Sequence, residues 1–334
     1  MKRLLSLLSL YALFLGCQST ALTAAKLYIQ QNEPLKAEEQ LQQALQTEPQ
    51  NPEAHFLLGK LYADQGKYPE MAASFVRSLE LGPKFAPQIQ EQRQHYWARE
   101  YNEGVRQASA QSPAFPEALA AFQRATVIEP DSLKSWRNLA YVYYQLDSLD
   151  TTIRTYQHIL ALAPSDTSTL YSIGVLCLKQ GRAQEAEAAL AEHNRLKPGN
   201  VEGLVNLAVA HVEQGELAEA ERAYNEAAQA APQDHRPYYN LGNLHFNQKN
   251  YPAALAAYQR AVELAPADLE SRYNLAVAHL ALEQVDSAFP ILQQLAAEDP
   301  GNAAVWRELG RIHAIKGRVK ESEEAYARAD SLGR

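Results

Sequence analysis

Two series of side chains recur along this chain at a fixed spacing, and both are of types that can do chemistry. His211, His245, His279 and His313 follow one another at 34-residue intervals. Imidazole is the commonest metal ligand among side chains, so metal binding is the first chemistry to weigh. Asn138, Asn206, Asn240 and Asn274 form a second series on the same 34-residue interval, with Ser172 in the place between Asn138 and Asn206. A carboxamide donates and accepts hydrogen bonds at once, which complements a peptide group. The same 34-residue interval, one place earlier, holds Arg137, Tyr171, Tyr239, Tyr273 and, one repeat beyond the asparagines, Arg307, with Val205 before Asn206. The tyrosines would add stacking area with a polar tip.

Nothing in the sequence assembles a catalytic centre around these residues. It contains no Gly-rich phosphate loop, no nucleophile elbow and no metal motif of fixed helical spacing. Carboxylates are abundant, but on helices their ordinary place is the solvated face. The formal net charge is −8. An acidic chain without a stripe of Lys and Arg is a poor ligand for phosphate backbones, which argues against nucleic acid as the main partner. The sequence therefore reads as a non-enzymatic chain that uses no cofactor.

The elements that must position the two series are helices. Alanine, leucine, glutamine and glutamate dominate, and runs of β-branched residues are absent. Pro49, Pro83, Pro130, Pro164, Pro198, Pro232, Pro266 and Pro300 are 34 residues apart, except for 47 between Pro83 and Pro130. With each proline at position 32, position 4 holds Trp136, Leu170, Leu204, Tyr238 and Trp306. Position 7 and position 8 hold pairs such as Leu58-Gly59, Ile173-Gly174 and Leu241-Gly242. Position 20 holds Ala37, Ala118, Ala186, Ala220, Ala254 and Ala288, and position 24 holds Phe75, Phe122, Tyr156, Tyr224, Tyr258 and Tyr326. This pattern resembles the tetratricopeptide repeat (TPR) family, a helix–turn–helix unit repeated every 34 residues. The resemblance implies an all-α fold, a right-handed superhelical solenoid in which each repeat packs on its neighbours.

Each position has a physical reason. Small residues at positions 8, 20 and 27 let two helices approach closely, and large ones at 4, 7 and 24 fill the space between repeats. Position 15 is Gly66, Gly181, Gly215, Gly317, Asn32 or Asp147, types that tolerate a left-handed helix end. Proline at 32 stops the second helix. The four histidines fall at position 11. Equivalent helices of successive repeats lie about 8–10 Å apart, too far for neighbouring imidazoles to share one ion at about 2 Å. Tyr28, Tyr62 and Tyr143 occupy the same position, so the histidines read as replacements for a partly buried aromatic, with no metal. Cys177, also at position 11, reads as a small buried apolar residue.

The frame divides the chain into a leader, 1–16; repeats one and two, 17–85; an insertion, 86–98; and repeats three to nine, 99–334. Within the insertion and beyond, Ile89, Tyr96, Trp97, Tyr101 and Val105 keep near-helical spacing. The spacing predicts one long helix over about 88–110. Two readings stand for it, a hinge or docking surface and a segment that caps one sub-array.

The asparagine series falls at position 6 and the Arg/Tyr series at position 5, on the first helix of each repeat, which lines the concave side in the TPR family. The series resembles the asparagine ladder in the TPR region of O-linked N-acetylglucosamine transferase. That resemblance implies that Asn138, Ser172, Asn206, Asn240 and Asn274, flanked by Arg137, Tyr171, Tyr239, Tyr273 and Arg307, bind a protein or extended peptide segment. It implies no catalysis. The other familiar TPR device, a carboxylate clamp of Lys and Asn, is not matched, because Arg137, Lys179, Arg236 and Arg307 are too scattered.

The N-terminus reads Met1-Lys2-Arg3, an apolar run from Leu4 to Leu15, then Gly16-Cys17. A charged start and a short apolar run form a secretory leader, too short to span a membrane. The end of the run resembles the lipobox of bacterial lipoproteins, with Phe14 where that family prefers Leu. The resemblance implies cleavage before Cys17, lipid attachment to Cys17, and a membrane anchor in the bacterial cell envelope, at the outer membrane ahead of the inner. The expectation is a membrane-anchored scaffold that grips a partner segment in its TPR groove. The alternative is a fixed structural subunit of an envelope secretion or pilus assembly machine.

Overall fold

A computed structural model describes residues 20–333 of the chain. The expected leader and Cys17, the expected site of lipid attachment, fall outside the described residues. Among the described residues every regular element is a helix, and no helix is long and apolar enough to cross a membrane. The chain forms two compact units, divided after Pro164.

The first unit contains α1 (Thr20–Gln30), α2 (Pro34–Thr47), α3 (Pro52–Asp64), α4 (Tyr68–Glu80), α5 (Ala86–Ala108), α6 (Phe115–Ile128), α7 (Leu133–Gln145) and α8 (Leu149–Leu162), with a 3-10 turn at Pro83–Phe85 before α5. The second contains α9 (Thr167–Lys179), α10 (Ala183–Leu196), α11 (Val201–Gln214), α12 (Leu217–Ala230), α13 (His235–Asn247), α14 (Tyr251–Leu264), α15 (Leu269–Ala281), α16 (Val285–Glu298), α17 (Ala303–Ile315) and α18 (Val319–Leu332). Successive helices pair as helix–turn–helix units, and within each unit the next helix packs on the last.

Side-chain caps start the first helices. Asn51, Ser132, Asp166, Asn200, Asp234, Asp268 and Asn302, all at position 34, accept backbone N–H groups from the helix that follows. Each such cap contributes about 0.5–2 kcal/mol. Among the described residues Phe85 breaks the series, and there the helix begins without a side-chain cap.

Both kinds of helix end are equally regular. Most second helices end two residues before the position-32 proline, as at Leu264 before Pro266. Except for α5, the first helices end in a left-handed residue at position 15. Besides Asn32, Asp147 and the glycines, this conformation is imposed on Lys249 (φ 61°) and Glu283 (φ 59°), whose types do not favour it. The turn explains why it persists. The N–H of position 16 donates back to the carbonyl of position 11 in every repeat but the third, from Glu33–Tyr28 to Arg318–His313, a Schellman closure.

Close approach between the paired helices depends on position 8. A Cβ on Gly242 would lie 2.4 Å from the Tyr258 ring, and one on Gly59 would lie 2.5 Å from Phe75. The alanines at position 20 are all fully buried.

Helix α5 accommodates the extra residues. Gly104 packs on Phe122 as Gly59 packs on Phe75, yet 18 residues separate the first pair and 16 the second. Two of the additional residues therefore lie in the turn Ser109–Ala114, and the rest extend α5 at its start. In this register Tyr101, like Tyr171, stands three residues before its helix's close-packed Gly.

Polar contacts fix α5 on both sides. Tyr96 donates to Asp64, Trp97 Nε1 to Ser135 Oγ at 2.8 Å and Arg93 to the Ile128 carbonyl at 3.1 Å. The Glu100 carboxylate, only 6% exposed, accepts from Tyr68 at 2.7 Å, Arg124 at 2.6 Å and Arg99 at 3.2 Å. Burial pushes this carboxyl up, but the hydrogen bonds outweigh burial and hold it below the usual carboxylate range. Charged and aromatic partners thus tie α5 to both neighbours within the first unit.

A candidate peptide-binding face

Position 6 is on the first helix of each repeat, three residues before position 9 on the same face. The structure places the predicted residues on this face, but in three different states. Asn206 Nδ2 donates to Tyr171 Oη at 3.1 Å, joining position 6 of one repeat to position 5 of the one before. In the first unit, Asn138 Nδ2 donates to Tyr101 Oη at the same 3.1 Å, and again to the Lys134 carbonyl. The corrected register of α5 makes these two bonds equivalent rungs.

The series then changes. Asn274 reaches Asn243 Oδ1 at 3.1 Å instead of Tyr239, and Tyr239 donates weakly, at 3.4 Å, to Glu270. Ser172 turns back on its own helix and donates to the Ser168 carbonyl at 2.9 Å. Asn240 makes no side-chain hydrogen bond among the described residues and borders a cleft of about 270 Å³ with Asn243, Asn247, Leu217 and Leu244.

The flanking residues are also divided. Tyr171 leans on the His193 ring, with centroids 5.4 Å apart, and with Ser172 lines a more polar cleft of about 340 Å³ that includes Lys197 and Asn200. Tyr273 packs against the core. Burial raises its hydroxyl pKa, Glu308 adds to the rise and Arg307 opposes it. Arg137 and Arg307 are exposed. The predicted residues thus form a common face within the second unit, while Arg137 and Asn138 belong to the corresponding face of the first.

Asn243 was missed at the sequence level. It accepts from Tyr258 Oη at 2.7 Å as well as from Asn274. A signal existed, because position 9 is Val175, Val209 and Val277 in the neighbouring repeats and a lone amide stands out among them.

The position-11 histidines do not converge on one another. His211 Nδ1 lies 2.7 Å from Glu216 and His279 Nδ1 lies 2.7 Å from Gln284. The Nδ1 atoms of His245 and His313 are buried without a hydrogen-bond partner. Cys177 is buried, and burial raises its thiol pKa.

Comparison with known proteins agrees with this architecture. The sequence model of the tetratricopeptide repeat family matches residues 22–84, 178–235, 205–269, 239–303 and 273–333. No curated protein matches the chain. Among solved structures, the C-terminal part of a TPR repeat-containing protein from Cytophaga hutchinsonii is similar over 71% of this chain and 94% of its own, with 15% identity and a TM-score of 0.57. PilF of Pseudomonas aeruginosa is 19% identical over 63% of this chain and 95% of its own, with a TM-score of 0.48. MamA of Desulfovibrio magneticus RS-1 is 26% identical over 51% of this chain and 96% of its own, with a TM-score of 0.47. With its 34-residue frame, its paired helices and a family match over more than half its length, the chain belongs to the tetratricopeptide repeat family.

Proposed function

We propose that the chain is a non-enzymatic protein-binding scaffold, and that the first-helix face of the second unit holds an extended segment of a partner protein. The observation that carries this reading is the amide-rimmed cleft of about 270 Å³ in which Asn240, Asn243 and Asn247 stand around Leu217 and Leu244. An extended peptide offers backbone donors and acceptors at every residue, with side chains alternating in direction. Carboxamides can pair with the former, and an apolar floor can receive one of the latter. Asn206 and Asn274 each use one N–H within the fold, and a carboxamide oxygen with two lone pairs and a second N–H can still face a ligand.

The reading includes a location. The charged start Lys2-Arg3, the apolar run Leu4–Leu15 and Gly16-Cys17 support a lipid anchor at Cys17 in a bacterial envelope, at the outer membrane ahead of the inner. Nucleic acid is not among the proposed partners.

A second reading, a fixed structural subunit of a larger assembly, is favoured by the apolar side chains left exposed on α17 and α18. Ile315 is 57% exposed and Val319 66%. Crosslinking and capture from native membranes separates the two. A partner segment that exchanges and maps to α11, α13 and α15 supports the scaffold. Co-purification at fixed stoichiometry through α17 and α18 supports the subunit.

A further inference from the structure

We propose that Glu187, His211 and Glu216 form a binding site for a divalent transition-metal ion of the Zn²⁺ class, clamping two successive repeats. The ligand atoms of these three residues all lie within 4.8 Å of one another. Glu187 is on α10, His211 near the end of α11 and Glu216 in the turn that follows. The sequence reading expected no metal because it set the histidines against one another. The ligands that complete the set lie instead at position 21 of the preceding repeat and position 16 of the same one.

The backbone fixes two of the three. Glu216 N–H donates to the His211 carbonyl at 2.8 Å, the Schellman closure found in every repeat but the third, and this sets the position-16 side chain beside position 11. The His211 Nδ1 and Glu216 Oε2 atoms are 2.7 Å apart, a hydrogen-bond distance, and opening the pair by less than about 1 Å brings it to the spacing of two tetrahedral ligands about 2.0–2.2 Å from one ion. Glu187 is held from behind, since Gln214 Nε2 donates to its Oε2 at 2.7 Å. Such an outer partner orients a ligating carboxylate.

Equivalent places in other repeats show what is unusual here. Glu38 is also a position-21 glutamate, and the position-16 residue beside it is Lys67, whose ammonium stands 3.5 Å from the carboxylate. There the chain supplies its own cation. At Glu187 the corresponding residue is Glu216, so two carboxylates meet across a histidine and position 16 supplies no ammonium. Glu219, which also acts electrostatically on His211, has Arg222 as its own partner at 2.5 Å. Two carboxylates and a neutral imidazole balance one divalent charge. The imidazole favours Zn²⁺ and its first-row neighbours over Ca²⁺ or Mg²⁺, which prefer all-oxygen shells.

The test uses the full chain, stripped with chelator and titrated calorimetrically with ZnCl₂, with Co²⁺ absorption as a second probe. Wild type is expected to take up one equivalent that His211→Ala and the conservative Glu216→Gln each weaken by at least about tenfold. His245→Ala, in the rung without a second carboxylate, should bind like wild type. Zn²⁺ should raise the unfolding midpoint of wild type and leave that of His211→Ala unchanged, because a ligand bound only to the folded state stabilises it. Circular dichroism shows whether each variant is folded. No uptake by wild type, or uptake equal in folded His211→Ala and Glu216→Gln proteins, overturns the proposal.

Discussion

Asn206 and Tyr171 are joined across neighbouring repeats by a 3.1 Å hydrogen bond, and Asn138 and Tyr101 repeat the bond at the same length. The rung is part of the fold before any ligand arrives. Asn206→Ala and Tyr171→Phe should each destabilise the second unit, with a coupling between them of about 0.5–1.5 kcal/mol in a double-mutant cycle. Urea unfolding of the four proteins measures it. Strict additivity would mean that the bond contributes nothing.

Lys249 carries a left-handed backbone at φ 61°. A non-glycine residue there costs about 1–2 kcal/mol, of which glycine's greater freedom in the unfolded chain offsets about 0.5–1 kcal/mol. Lys249→Gly should therefore stabilise the protein by about 0.5–1 kcal/mol, read as a higher denaturant midpoint. The Schellman bonds from Lys249 and Asn250, both 2.9 Å, would be kept. A lower midpoint would show that the lysine side chain contributes more than its backbone costs.

Glu100 gives the first unit a pH dependence of known sign. Its folded carboxyl titrates below the ordinary value of 4.5. The stabilisation is thus complete above that value and is lost as pH falls through the lower folded one. Glu100→Gln removes a charged acceptor of three hydrogen bonds and should cost about 1.5–3 kcal/mol at neutral pH. The difference from wild type should shrink under acid. A difference that is constant from pH 7 to about pH 3 would assign the loss to packing alone.

Cys17 is the proposed lipid-bearing residue. Cys17→Ser should yield either a soluble form or an uncleaved precursor, distinguishable by membrane fractionation and intact mass. A Cys17→Ser protein processed and retained on the membrane like wild type would remove the lipid from the account.

Much of this architecture is written in the periodicity. Proline at 32, alanine at 20 and 27 and glycine at 8 each answer to a local steric need, so their recurrence alone specifies paired helices. The face carrying Asn206 and Tyr171 was legible for the same reason. Less legible was what those amides bind, because a hydrogen bond between residues 35 apart depends on how one repeat stacks on the next. The α5 register was hidden similarly. The 13 extra residues are visible as a count, but only the contact of Gly104 with Phe122 divides them between helix and turn. Lys249 and Glu283 show the converse, a conformation imposed by the fold on residues that do not request it.

The central claim is that the amides of the second unit grip an extended partner segment. The most direct measurement is a binding titration of the captured segment against wild type and the triple variant Asn206→Ala, Asn240→Ala, Asn274→Ala. If each amide contributes about 0.5–1.5 kcal/mol, the triple variant should bind roughly 1.5–4.5 kcal/mol more weakly, provided the terms add. Tyr171→Phe breaks the internal rung while leaving the Asn206 amide in place, so it should bind nearly as wild type does. Changing Glu221, Gln259 and Gln293 on the second helices should also leave affinity unchanged. A triple variant that folds and binds as tightly as wild type would contradict the account.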